Sequence, residues 1–225
     1  MDYLDFAASV NNQGVTALLL GDRIGAFGFF KGAWEALSDG IAYCGFLPND
    51  KVDPSINKAL RVSDVPFVPV STAAFEGAAV RQGEAASFTF QKPFAFNTGL
   101  ELVEEHREIY KAVILLNLAM LYHKESGLND IYEKTALELY GYSLEVLKCA
   151  VHLDCSNVLI ATLNNKAQIF FQRHEVERTT ESLEKLSQSL GNALREGFKG
   201  LEDADIDGLL LNVHCQRALV CAPGA

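Results

Sequence analysis

Apolar residues recur along this chain with the period of helices, and they do so in three separated stretches built on one template. Each has a helix carrying Asn, a small residue and a bulky apolar residue in close order, then a short polar break and a second helix. The stretches are Val10–Leu37, Leu115–Leu147 and Leu163–Leu190. In the first, Phe6, Val10, Gly14, Ala17 and Leu18 share one stripe of a helix over 3–20. Gly21-Asp22 then marks a turn, with Asp22 suited to cap a helix over 23–42 whose stripe is Ile24, Phe27, Phe30, Ala33, Trp34 and Leu37. The second pair is expected over 101–124 and 132–151, with Leu115, Leu118, Ala119 and Tyr122 facing inward and residues 126–130 as the break. The third covers 156–173 and 175–199, where Gly191 and Gly197 weaken the end of the last helix. Units that repeat in this way bury their apolar faces against their neighbours. The pattern therefore predicts one mainly α domain over 1–225, a stack of helical hairpins.

A different pattern fills residues 48–99. This insert holds Pro48, Pro54, Pro66, Pro69 and Pro93, five of the six prolines, and shows no helical period. Its end, from Ser87 to Phe96, alternates apolar and polar as a strand does. Leu209, Leu211, Val213 and Cys215 alternate in the same way with Leu210, Asn212 and His214. These two segments are expected to pair as a small antiparallel ribbon between the insert and the C-terminal tail (208–225). Because a lone ribbon is marginal in water, it should pack on the helices. Residues 200–207 read as an acidic connector.

Composition narrows the function classes. Hydrophobic residues are 49% and charged ones 21%, a globular balance. The net charge of −10 argues against nucleic acid or an anionic membrane as partner, since both call for a basic footprint. Five scattered cysteines without a C-x-x-C suggest free thiols in a reducing compartment rather than a disulfide framework or a metal site. The start, MDYLDFAASV, lacks the basic region of a secretory signal. The longest apolar run, Ala112–Tyr122, is shorter than the ~20 residues of a membrane span. A soluble cytoplasmic or nuclear protein is expected. Phosphate-binding and nucleophile-elbow motifs are missing, and His174-Glu175 is not followed by the second His of a zinc protease motif. Glu104-Glu105-His106 reads as a solvated helix start paired with Arg107 and Lys111, so no catalytic residue, metal or cofactor is assigned.

At these positions the chain resembles tetratricopeptide (TPR) repeats. The first stretch supplies Gly14, then Ala26, Phe30 and Ala33. The second supplies Leu115, Ala119 and Tyr122, then Ala136 and Tyr140, with Ser143 where Ala is usual. The third supplies Leu163, Ala167 and Phe170, then departs with Thr179, Leu183 and Leu186. The resemblance covers about half of the chain and implies an α-solenoid in which the first helix of each pair lines a concave groove. Facing side chains would be Asn12 and Val15, Asn117, Met120 and His123, and Asn164, Asn165, Gln168 and Phe171. An Asn amide offers both a donor and an acceptor and suits the backbone of an extended peptide. The cations by which one branch of that family grips a C-terminal carboxylate are missing, and only Asn117 fits that arrangement.

The reading that follows is a non-catalytic scaffold that binds a protein or peptide partner in a groove. The alternatives are a subunit of a larger assembly or homo-oligomer that uses residues 88–96 as its contact, and an enzyme of a type the sequence does not specify.

Overall fold

Seven α-helices form among the described residues, each where apolar positions recur at helical spacing. They are α1 (Tyr3–Leu19), α2 (Arg23–Asp39), α3 (Arg107–Glu125), α4 (Asp130–Leu147), α5 (Ser156–Gln172), α6 (Val176–Glu196) and α7 (Asp203–Val220). Two three-residue strands, β1 (Phe67–Pro69) and β2 (Phe94–Phe96), lie between α2 and α3. The structure is a computed structural model that describes residues 2–40, 67–70, 88–98, 103–150, 155–197 and 201–220. Residues 48–66 and 71–87 of the insert, whose proline content reads as loop, the tail beyond Val220, Cys44 and Cys221 lie outside the described residues.

Local chemistry sets the helix ends. The Asp22 carboxylate accepts from the Gly25 amide at 2.8 Å and starts α2, as the sequence predicts. Gly40, at φ 66°, ends α2 in the left-handed region where a side chain would be strained. The SGLND break becomes a 3₁₀ turn over Ser126–Leu128, and the Asn129 side chain then caps α4 through the Ile131 amide. The expected helix over 101–124 begins later, at Arg107, after a 3₁₀ turn over Glu104–His106. The Arg107 guanidinium donates to the Leu37 carbonyl at 2.8 Å, one of the last carbonyls of α2 that its own helix leaves unpaired. Arg107 also pairs with Glu104, and Lys111 pairs with Glu108.

The described residues fall into two compact units, residues 1–75 with 92–153 and residues 76–91 with 154–225. In the first, α1 packs on α2, α2 on α3 and α3 on α4. In the second, α6 packs on α5 and on α7. The first helices of the pairs are buried nearly all round, whereas α2, α4 and α6 bury a single stripe. An all-round apolar helix belongs between other elements. The polar residues that α1, α3 and α5 carry into that position are chiefly amides: Asn11, Asn12, Asn117, Asn164 and Asn165.

Two polar residues of the second helices have local partners. Ser143 donates from its buried hydroxyl to the Ala112 carbonyl at 2.9 Å and ties α4 to α3. Thr179 satisfies its hydroxyl on the Glu175 carbonyl one turn back. Gly14 gives room to Phe30, since a Cβ there would stand 2.5 Å from the ring. Gly14→Ala should therefore destabilise the chain by about 1–2 kcal/mol, the strain of overpacking outweighing the better helix propensity of Ala. Urea unfolding checks this, and unchanged stability would count against the tight seat.

One expected element is different. The tail does not form a strand: residues 203–220 are helix α7. Leu209, Asn212, Val213 and Gln216 are buried, a spacing of three, four and seven that belongs to one helix face. The run Leu209–Leu211 satisfies both periods, so alternation misled there. The ribbon exists, but its partner lies within the insert. β1 pairs antiparallel with β2, Phe67 opposite Phe96, Val68 opposite Ala95 and Pro69 opposite Phe94.

Candidate functional site

The backbone of the Phe-rich segment is held by asparagine side chains in two places, once in each unit. In the first unit, Asn12 from α1 accepts from the Phe96 N–H and donates to its carbonyl, both at 2.8 Å. Asn117 from α3 does the same for Phe94, both at 2.9 Å. Asn11 donates to the Phe94 carbonyl at 2.9 Å and accepts from Asn117 Nδ2 at 2.9 Å, which links the two helices.

The second unit repeats this device residue for residue. Asn165 from α5 accepts from the Phe90 N–H and donates to its carbonyl, both at 2.8 Å. Asn212 from α7 accepts from the Phe88 N–H at 2.7 Å and donates to the Phe88 carbonyl. Asn164 donates to that carbonyl at 3.0 Å and accepts from Asn212 Nδ2 at 2.7 Å. Asn164, Asn165 and Asn212 thus stand where Asn11, Asn12 and Asn117 stand in the first unit, with Phe88-Thr89-Phe90 in place of Phe94-Ala95-Phe96.

The geometry follows from strand stereochemistry. The N–H and carbonyl of one extended residue point to the same side, and those of the next residue to the other. An amide side chain completes such a pair as a neighbouring strand would. Two amides on adjacent helices therefore engage alternate residues and leave the residue between them unread. The opposite edge of the first segment faces β1, where Val70 N–H donates to the Pro93 carbonyl at 2.8 Å. Pro69 stands opposite Phe94, whose backbone groups are turned toward Asn117, so its missing N–H leaves no ladder bond unmade.

Side chains fix the rings. Phe94, Ala95 and Phe96 are fully buried, and the Phe96 ring lies 4.3 Å from that of Tyr110 between centroids. In the second unit Phe90 is buried, while Phe88 and Thr89 are half-buried. The Phe88 ring sits over Gly208 of α7, where a Cβ would come within 2.4 Å of it.

Of the residues the sequence placed in a groove, Asn12, Asn117, Asn164 and Asn165 do bind extended backbone, but that backbone is the chain's own. Val15 and Met120 are buried, and Phe171 is half-buried at the end of α5. Gln168 accepts from the Gln216 side chain of α7. His123 turns to the Tyr140 hydroxyl of α4, 3.2 Å away, and burial pushes its pKa down to about 4. Asn212 was not foreseen, because its segment reads as a strand. The signal was present all the same: Leu210-Leu211-Asn212 repeats Leu115-Leu116-Asn117, which marks α7 as a further helix of the first type.

Elsewhere in the first unit, Arg23, Ile24, Phe27, Leu121, Tyr122, Glu125 and Tyr132 line a cavity of about 430 Å³. Arg23 and Glu125 form an ion pair at 2.5 Å across it, and Ile24 and nearby Leu20 are largely exposed. Among the described residues no His, Cys, Asp and Glu gather as metal ligands do, and no helix is long and apolar enough to cross a membrane. No protein-family model, curated protein or solved structure matches this chain.

Proposed function

We propose that this chain is a non-catalytic interaction scaffold of TPR-like helical hairpins that holds extended polypeptide by its main chain and serves a protein or peptide partner. The observation that supports it most is the duplicated asparagine device, which binds N–H and carbonyl groups common to any extended sequence. Main-chain bonds of this kind supply affinity, and flanking side-chain seats supply selectivity. Residues 88–96 occupy both devices in cis, so a partner must either displace part of this segment or bind elsewhere on the helices.

Panning of a displayed random-peptide library on the full chain tests the reading, with Phe88→Ala/Phe90→Ala as the emptied form. Peptides should be retained by that form and lost when Asn165→Ala/Asn212→Ala is added. Retention of none by a folded emptied form would sink the proposal.

A second reading, a subunit of a larger assembly, is favoured by the exposed Leu20, Ile24 and Ile131 of the first unit. Its contact is then made by these exposed side chains and not by residues 88–96, of which Phe90, Phe94 and Phe96 are buried inside their own units. Light scattering should show an oligomer that Ile24→Arg dissociates. A monomer unaffected by that substitution removes this reading.

A further inference from the structure

We propose that the second-unit device is an exchangeable site for an extended segment with aromatic residues at alternate positions, and that Phe88-Thr89-Phe90 is its built-in occupant. The inference rests on the scaffold reading above and adds to it a ligand class and a place.

Three observations carry it. First, the chain contains the same three-asparagine arrangement twice, and both times the residues it reads are Phe-x-Phe. The helices that carry the asparagines repeat one another, Asn11-Asn12 in Asn164-Asn165 and Leu115-Leu116-Asn117 in Leu210-Leu211-Asn212, and both copies keep the pairing with Phe-x-Phe. Second, the pairing has a physical basis at each position. Asparagines read residues i and i+2 through the main chain, and alternate side chains of an extended segment share one face. The two rings therefore share one face of the segment, and the middle residue, Thr89 or Ala95, takes the other. Gly208 shapes the first seat, because a methyl group there would overlap the Phe88 ring. Third, the two devices differ in how firmly they hold. Phe94-Ala95-Phe96 is fully buried and backed by β1, so it is part of the first unit's core. Phe88 and Thr89 remain half-exposed, so the second device loses less buried surface when its occupant leaves.

Fluorescence anisotropy with a labelled acetyl-Ser-Phe-Thr-Phe-Gln-amide peptide tests the proposal. The full chain carrying Phe88→Ala/Phe90→Ala should bind it saturably, at least about tenfold more tightly than the unsubstituted chain, whose own segment competes for the site. Methylation of the second Phe amide nitrogen, which removes the donor that Asn165 reads, should weaken binding at least about tenfold. Methylation of the Thr amide should change it less than about twofold, since that nitrogen faces away from the asparagines. Gly208→Ala added to the variant should abolish binding by filling the first seat. If the double variant does not fold, Phe88→Ala/Phe90→Leu, which keeps an apolar side chain at the buried position, is used with the same peptides. Absence of binding by the folded variant, or equal binding of the two methylated peptides, overturns the proposal. Where library panning yields other sequences but this peptide fails, the ligand class is wrong and the scaffold reading stands. Where both fail, both fall.

Discussion

Asn117→Ala is expected to destabilise the first unit by about 3–5 kcal/mol, a large share of the stability of an ordinary domain. The side chain is 1% exposed and makes three hydrogen bonds at 2.9 Å, two to Phe94 and one to Asn11. A neutral hydrogen bond contributes only about 1 kcal/mol net, but truncation leaves buried groups that have exchanged water for Asn117. The Phe94 N–H and Asn11 Oδ1 both lose this partner in a dry interior. The loss should be local at first, because Asn117 ties β2 to α3. Hydrogen exchange at the Phe94 and Phe96 amides should accelerate before that of α2 or α4. An Asn117→Ala protein within 1 kcal/mol of the parent, with those amides still protected, would mean that Phe-ring burial alone seats the segment. Asn212→Ala is the matching change in the second unit. It should cost less, since Phe88 is half-exposed and water can reach the groups it abandons.

Between pH 7 and pH 5 the chain should lose about 2 kcal/mol of stability through His123 alone. Burial holds its folded pKa near 4, against an ordinary value of 6.5. Between those values the unfolded chain binds a proton that the folded chain refuses, so stability rises with pH through this window and is fully present above it. Each pH unit is worth about 1.4 kcal/mol, and the whole window about 3 kcal/mol. His123→Gln keeps a side chain able to hydrogen-bond the Tyr140 hydroxyl but does not titrate. Urea unfolding of both proteins at the two pH values should show the larger drop in the parent. Equal drops would show that His123 is either accessible to protons or indifferent to them.

Much of the candidate site could be read before any coordinates. The resemblance to helical repeats put Asn12, Asn117, Asn164 and Asn165 on a groove wall, where an amide suits the backbone of an extended partner peptide. The alternation at 88–96 was recognisable as extended chain. Nothing local in the sequence joins these features to one another. Asn12 and Phe96 lie 84 residues apart and Asn212 and Phe88 lie 124 apart, and no local spacing links them. The role of Asn212 was hidden by an ambiguity of period, since three consecutive leucines fit a strand face and a helix face equally well. Gly208 gave no signal either: a glycine inside a helix reads as a weakness until the ring that lies on it is known.

The sequence by itself determined the paired helices of the three stretches, the cap at Asp22 and the break over 126–130. Those depend on residues three and four apart, and such neighbours are fixed as soon as the helix forms. Only the tertiary structure decided what the amides hold and which strand β2 pairs with. An extended segment offers the same N–H and carbonyl groups to every edge and every asparagine, so its choice is made by the rings that fit behind it.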